Sequence, residues 1–123
     1  MRYVFSNILI LSKKISVKYR VWFFTDGEKL LGKGRVELLV RIAKSGSISC
    51  SAREMSMSYR QAWQMVKEMN ERAESPIVEK QLGGKSGGGA FVTNLGQRYI
   101  KAFQELEKKL EHYLLKESKK IKI

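Results

Sequence analysis

The sequence predicts a mostly α-helical domain with a small β component, a winged helix-turn-helix followed by a long C-terminal helix, and three observations carry that prediction. Ser51-x-x-Glu54 and Ser58-x-x-Gln61 both fit the capping-box pattern, seven residues apart, which leaves room for one short helix, a tight turn and a second helix. The runs IVEKQ and AFVTN read as short strands flanking LGGKSGGG, a hairpin with a glycine-rich tip. From Tyr99 through Phe103, Leu106, Leu110 and Tyr113 the apolar positions step by 4, 3, 4 and 3, a heptad seam on a helix spanning 94–118.

The remaining elements follow in chain order. Residues 1–16 are set apart as an N-terminal arm of unknown role. Their apolar run Ile8-Leu9-Ile10-Leu11 follows Ser6-Asn7 and precedes Lys13-Lys14, so it lacks the cleavage-site pattern of a signal peptide. VKYRVWFFT (17–25) is rich in β-branched and aromatic residues and predicts a strand, ended by the turn pair Asp26-Gly27. In RVELLVRIAKSG, Val36, Leu39, Val40 and Ala43 recur at helical spacing, and Gly46 is placed to cap that helix. The short helix is expected at 49–55, the turn at Ser56-Met57 and the second helix at 58–73. Ala52 and Ala62 are small where the two helices must approach. Ala62, Met65, Val66 and Met69 form the buried stripe, and Trp63 and Trp22 are expected in the core. Ser75-Pro76 stops the second helix, because the residue before proline is pushed out of the α region. The winged domain is thus bounded at 17–94. Residues 95–123 form the amphipathic helix, on which Tyr99, Phe103, Leu106, Leu110 and Tyr113 are the candidate dimerisation positions, and a basic tail.

Composition narrows the function. The chain has 123 residues, enough for one compact core, and carries 24 Lys+Arg against 12 Asp+Glu, a net charge of +12. Such a domain repels itself and calls for a polyanionic partner, nucleic acid ahead of an anionic membrane surface. No stretch approaches the roughly 20 apolar residues that span a bilayer. A single cysteine, Cys50, and a single histidine, His112, are too few for a structural zinc site and fit a reducing cytoplasm. A phosphate loop would need glycine at position 79, where Glu79 stands, and a helix after Ser86, where three more glycines follow. A dinucleotide fingerprint counted from Gly32 meets Glu37 at its last position. Asp26 is the only aspartate, His112 sits among charged residues and Cys50 reads as a small packed side chain, so no enzyme and no metal site are expected.

A surface for a polyanion remains. Once the apolar stripe of helix 58–73 faces inward, Tyr59, Arg60, Gln61, Gln64 and Lys67 are left outside, bunched toward its N-terminal half, where a recognition helix meets base edges in the major groove. Arg60 suits guanine, and Gln61 or Gln64 suits adenine, through paired hydrogen bonds. Ser58 and Tyr59 suit phosphate, as do Ser49, Ser51 and Arg53 on the first helix. Lys85 and Ser86 at the glycine-rich tip are placed to reach a neighbouring groove or its phosphates. The partner expected is double-stranded DNA. The alternative is a winged-helix protein-interaction module whose basic charge serves solubility.

The stretch SGSISCSAREMSMSYRQAWQMVKEMN followed by GGKSGGGAFVTNLGQRYI resembles the N-terminal DNA-binding domain of the ModE family of molybdate-responsive transcription regulators, and more distantly the winged helix of LysR-type regulators. The resemblance rests on Gly46-Ser47-Ile48, Ala52, Met57-Ser58-Tyr59-Arg60, Ala62-Trp63, Gly83-Gly84-Lys85 with Gly87-Gly88-Gly89, and Thr93 with Gly96. It covers about residues 30–105, and the SYRxAW and GGKxGGG pieces are specific in combination. It implies a homodimer held mainly by the N-terminal strand and the C-terminal helices, with helix 58–73 in the major groove and the wing on flanking DNA. Full-length members sense molybdate through a C-terminal pair of β-rich modules. This chain ends on its helix and basic tail, so no cofactor is expected and molybdate sensing is not carried over.

Overall fold

The structure is a computed structural model of the 123-residue chain and describes residues 8–10, 15–81 and 89–122. Among these lie three two-stranded antiparallel hairpins and four helices. β1 (Ile8–Ile10) pairs with β2 (Ser16–Lys18), with Leu9 opposite Val17. β3 (Phe23–Thr25) pairs with β4 (Glu28–Leu31) across Asp26-Gly27. Both turn residues have positive φ, 49° and 78°, the geometry in which a two-residue turn matches strand twist and for which Asp-Gly is suited. Helices α1 (Lys33–Ser45), α2 (Ile48–Glu54) and α3 (Tyr59–Arg72) follow, then β5 (Val78–Gln81) against β6 (Gly89–Val92), and α4 (Asn94–Ser118).

One core holds these elements together. Leu38, Leu39 and Ile42 on α1, Ala52 on α2, Ala62 and Met69 on α3, Ile77 before β5 and Phe103 on α4 are essentially inaccessible to solvent. α1 ends where Gly46 N–H donates to Ile42 O at 2.8 Å. The Gly46 carbonyl then accepts from Ala90 N–H at 2.9 Å, which ties the start of β6 to the end of α1. At the other end of the hairpin Thr93 N–H donates to Ile77 O, and the Thr93 hydroxyl caps α4 by accepting from Gly96 N–H at 3.1 Å. Gly96 is required by close approach: a Cβ there would lie 2.5 Å from both Ile77 O and Val92 Cγ1.

Several expectations are corrected. The single strand over 17–25 is two strands in two different hairpins, and EKLL, which lacks an alternating pattern, is the partner of the second. The boundary between arm and domain at 16/17 falls inside β2. The first cap falls on Ser47 instead of Ser51: the Ser47 hydroxyl caps α2 by accepting from Cys50 N–H at 3.0 Å, whereas Ser51 lies within the helix and is fully buried. Trp63, expected inside, is 42% exposed, and Trp22 is half-buried, its ring covering Gly32.

The heptad seam of α4 divides in two. Phe103 is fully buried in its own domain, its ring centroid 5.1 Å from that of Phe23, and Tyr99 packs on the same core. Leu106 and Tyr113 are exposed and Leu110 is half-buried. The strap between β2 and β3 lies against this helix: burial, then the charges of Glu111 and Glu107, push the Tyr19 phenol above its ordinary pKa. Phe103→Ala is therefore expected to destabilise the folded chain by about 3–5 kcal/mol. Leu106→Ala is expected to change it by no more than about 0.5 kcal/mol. Denaturant unfolding of the two variants at low protein concentration measures the contrast.

Candidate nucleic-acid interface

α2 and α3 are joined by residues 55–58. α2 ends as Met57 N–H donates to Ala52 O at 3.0 Å and Ser56 N–H to Arg53 O at 3.1 Å, with Ser56 in the left-handed region at φ 56°. That is a Schellman-type ending, which satisfies carbonyls left over at the helix terminus. Ser58 then opens α3: its hydroxyl accepts from Gln61 N–H at 3.0 Å. Ala52 and Ala62 are 1% and 0% exposed, so both are sealed in the core on which α2 and α3 pack.

This packing turns Ala62, Val66 and Met69 inward, and leaves Tyr59, Arg60, Gln61, Gln64 and Lys67 exposed on α3. Residues 59–67 contain no carboxylate. Ser49 and Arg53 are exposed on α2, and Ser58 is exposed at the start of α3. Ser51 does not join them. Its hydroxyl donates to Ser47 O at 2.8 Å and lies 3.1 Å from Ser45 Oγ, so it fastens the α1–α2 junction. Lys85 and Ser86 lie outside the described residues.

Trp63 was missed as a surface residue. It sits one helical turn after Tyr59 and one before Lys67, whose Nζ is 5.7 Å from the indole centroid. The three side chains form one wall of a cleft of about 510 Å³ whose other wall includes Val78, Lys80 and Gln81 of β5. The signal was present: at 100° per residue Trp63 falls near Tyr59, at the edge of the apolar arc and not in its middle. Asn70 closes the base of this cleft. Its Oδ1 accepts from Ile77 N–H at 2.8 Å and Val78 N–H at 3.1 Å, and its Nδ2 donates to Val78 O at 2.9 Å, so one amide holds β5 to α3.

The opposite flank of α3 carries an ionic network that sequence reasoning also missed. Glu68 pairs with Arg35 of α1 and lies 3.7 Å from Arg72. Arg72 donates to Lys29 O at 2.8 Å and pairs with Glu28 at 3.4 Å, which ties α3 to the β3–β4 hairpin. Gln64 Nε2 donates to Glu68 Oε2 at 3.2 Å. The Gln64 bond holds the Glu68 carboxyl below its ordinary pKa; burial opposes it, and the Arg35 hydrogen bond and the Arg35 and Arg72 charges add to it.

No group of three or more His, Cys, Asp or Glu among the described residues is placed to hold a metal ion, and no described helix is long and apolar enough to cross a membrane. His112 is exposed on α4 and Cys50 is half-buried on α2.

Fold and surface together define a basic helix-turn-helix domain whose second helix carries no carboxylate over its first nine residues, 59–67. Known proteins share this stretch. The chain is 47% identical over 72 residues to the DNA-binding transcriptional dual regulator ModE of Escherichia coli K12, covering 58% of the chain and 28% of that protein. It is 44% identical over 77 residues to the molybdenum-pterin-binding protein MopB of Rhodobacter capsulatus, covering 63% of the chain and 28% of that protein. It is 37% identical over 78 residues to the transcriptional regulator ModE of Haemophilus influenzae, covering 63% and 31%. No family profile matches the chain. Over these 72–78 residues the chain is similar to part of ModE-family proteins, and it spans less than a third of the length of these curated relatives.

A carboxyl with a depressed pKa in the folded state stabilises the fold above its unfolded value, near about 4.3. That contribution is lost as pH falls through the folded value. The stability advantage of the native chain over Glu68→Gln is therefore expected to be largest near neutral pH and to shrink below about pH 4.3, as read by unfolding both proteins across that range.

Proposed function

We propose that the chain is a DNA-binding transcription regulator of the cytoplasm, a winged helix-turn-helix that acts as a homodimer. α3 enters the major groove, and the β5–β6 hairpin is the wing on flanking DNA, a contact to which Lys85 and Ser86, between its two strands in sequence, are assigned. One observation carries the reading. The exposed face of α3 combines Arg60, Gln61, Gln64 and Lys67 with no carboxylate between 59 and 67, on a chain of net charge +12. Arginine and glutamine hold the fixed donor and acceptor pairs that read guanine and adenine edges, and lysine neutralises phosphate. Ser58 and Tyr59 at the start of α3, with Ser49 and Arg53 on α2, are assigned to the sugar-phosphate backbone. The similarity to proteins described as transcriptional regulators supports the same reading. The activity needs no cofactor.

Dimerisation is assigned to the second half of α4, where Leu106 and Tyr113 are 47% and 59% exposed, with Leu110 beside them. Tyr99 and Phe103 are withdrawn from the expected interface, because both pack on their own core.

Recovery of bound genomic fragments, aligned for two-fold symmetry, tests the whole reading, since half-site spacing mirrors the symmetry of a dimer. On a recovered site, Arg60→Ala is expected to weaken binding by about 1–3 kcal/mol and to relax preference at one base pair. Affinity is expected to fall steeply between about 50 and 200 mM salt. Binding that is flat across that range refutes phosphate contact and favours a protein-interaction module.

A further inference from the structure

We infer that Glu68 is a positioning residue for base reading by Gln64, an inference that rests on the proposed entry of α3 into the major groove. A glutamine amide reads adenine with its carbonyl and the N–H on the same edge, and its second N–H points the other way. In this structure an amide N–H of Gln64 is donated to Glu68 Oε2 at 3.2 Å. Rotating the amide by half a turn would set its carbonyl against that carboxylate, so Glu68 holds the side chain in one of its two orientations. Gln64 itself stays exposed, and among the described residues this is its one side-chain hydrogen bond.

An unrestrained pair on a helix surface would do this weakly. Glu68 is restrained. Its other oxygen is taken by Arg35, Arg72 stands 3.7 Å away, and its side chain is only 28% exposed. The two arginines are themselves anchored on the Lys29 carbonyl. They also cancel the carboxylate's charge, which would otherwise repel the phosphates on either side of a major-groove helix. The chain α1–Arg35–Glu68–Gln64 thus carries the rigidity of the core out to a candidate base-reading amide.

The test uses the whole chain and a library of random duplexes. Wild-type protein selects a preferred site, and Gln64→Ala identifies the base pair whose discrimination depends on that side chain. Glu68→Ala is expected to reduce discrimination at that same pair by about three- to tenfold, to leave discrimination at the other positions unchanged, and to have no further effect on discrimination in a Gln64→Ala background. Glu68→Gln keeps an acceptor oxygen and the side chain's size and is expected to restore part of the loss. This variant also serves as the probe should Glu68→Ala unfold, its discrimination falling between those of wild type and Gln64→Ala. Equal weakening on every sequence, an equal effect without Gln64, or a selected site in which no pair depends on Gln64 overturns the positioning role while leaving DNA reading intact. A library that yields no preferred sequence overturns the parent reading itself.

Discussion

The packing of α2 against α3 is the constraint on which the rest depends. Ala52 and Ala62 are both sealed from solvent in the shared core, and small side chains there let two helices approach. The crossing fixes the roll of α3. With Ala62 and Val66 pinned beneath it, helical geometry leaves Arg60, Gln64 and Lys67 no option but to face outward. The turn is fitted to the crossing. Ser56 accepts a left-handed backbone that glycine would take more easily, and Ser58 supplies the first cap of α3. A bulkier side chain at 52 or 62 would push the helices apart and rotate the polar face with them.

The two flanks of α3 are secured by different physics. Toward β5 the link is neutral, three hydrogen bonds through the amide of Asn70. Toward α1 and the β3–β4 hairpin the link is ionic, Glu68 between Arg35 and Arg72. The Glu68 carboxylate is engaged by arginines, while Arg60 and Lys67 stay exposed in the first part of the helix and the exposed Glu71 stands in its last turn.

Much of this was legible in the sequence, and what was not shares a cause. Elements set by local chemistry were readable: Gly46 ends α1, Ser58 starts α3, Pro76 follows its end and Asp26-Gly27 makes a turn. The limits of α4 at 94 and 118 match the periodic run. Elements set by a distant partner were not. β1 and β4 are three and four residues long and exist because β2 and β3 pair with them. Ser47 and Ser51 both stand ahead of helical residues, and only the path of the chain after Gly46 chooses between them. A heptad repeat shows that Phe103 must be covered but not by what, and Phe23 covers it. On the candidate interface, the polar face of α3 follows from periodicity alone, whereas the Arg35–Glu68 pair joins residues 33 positions apart on different helices, and only the Glu68–Arg72 leg, four residues apart on α3, has a local pattern.

The charge distribution along α4 bears on how a strongly basic chain could meet its own copy. Self-repulsion at +12 opposes association almost anywhere on the surface. The segment 105–118 is different, since it holds four glutamates against three lysines. Lys33 adds to the local balance by pairing with Glu107 at 3.1 Å, an ion pair between α1 and α4. Within this near-neutral stretch stand the exposed Leu106, Tyr113 and Leu115. Burying apolar area contributes roughly 25 cal/mol per Å², and it does so most effectively where little charge must be brought together. The same helix therefore has two apolar halves with different coverings: its own core shields the first, and the second lies where two copies would approach against the least repulsion.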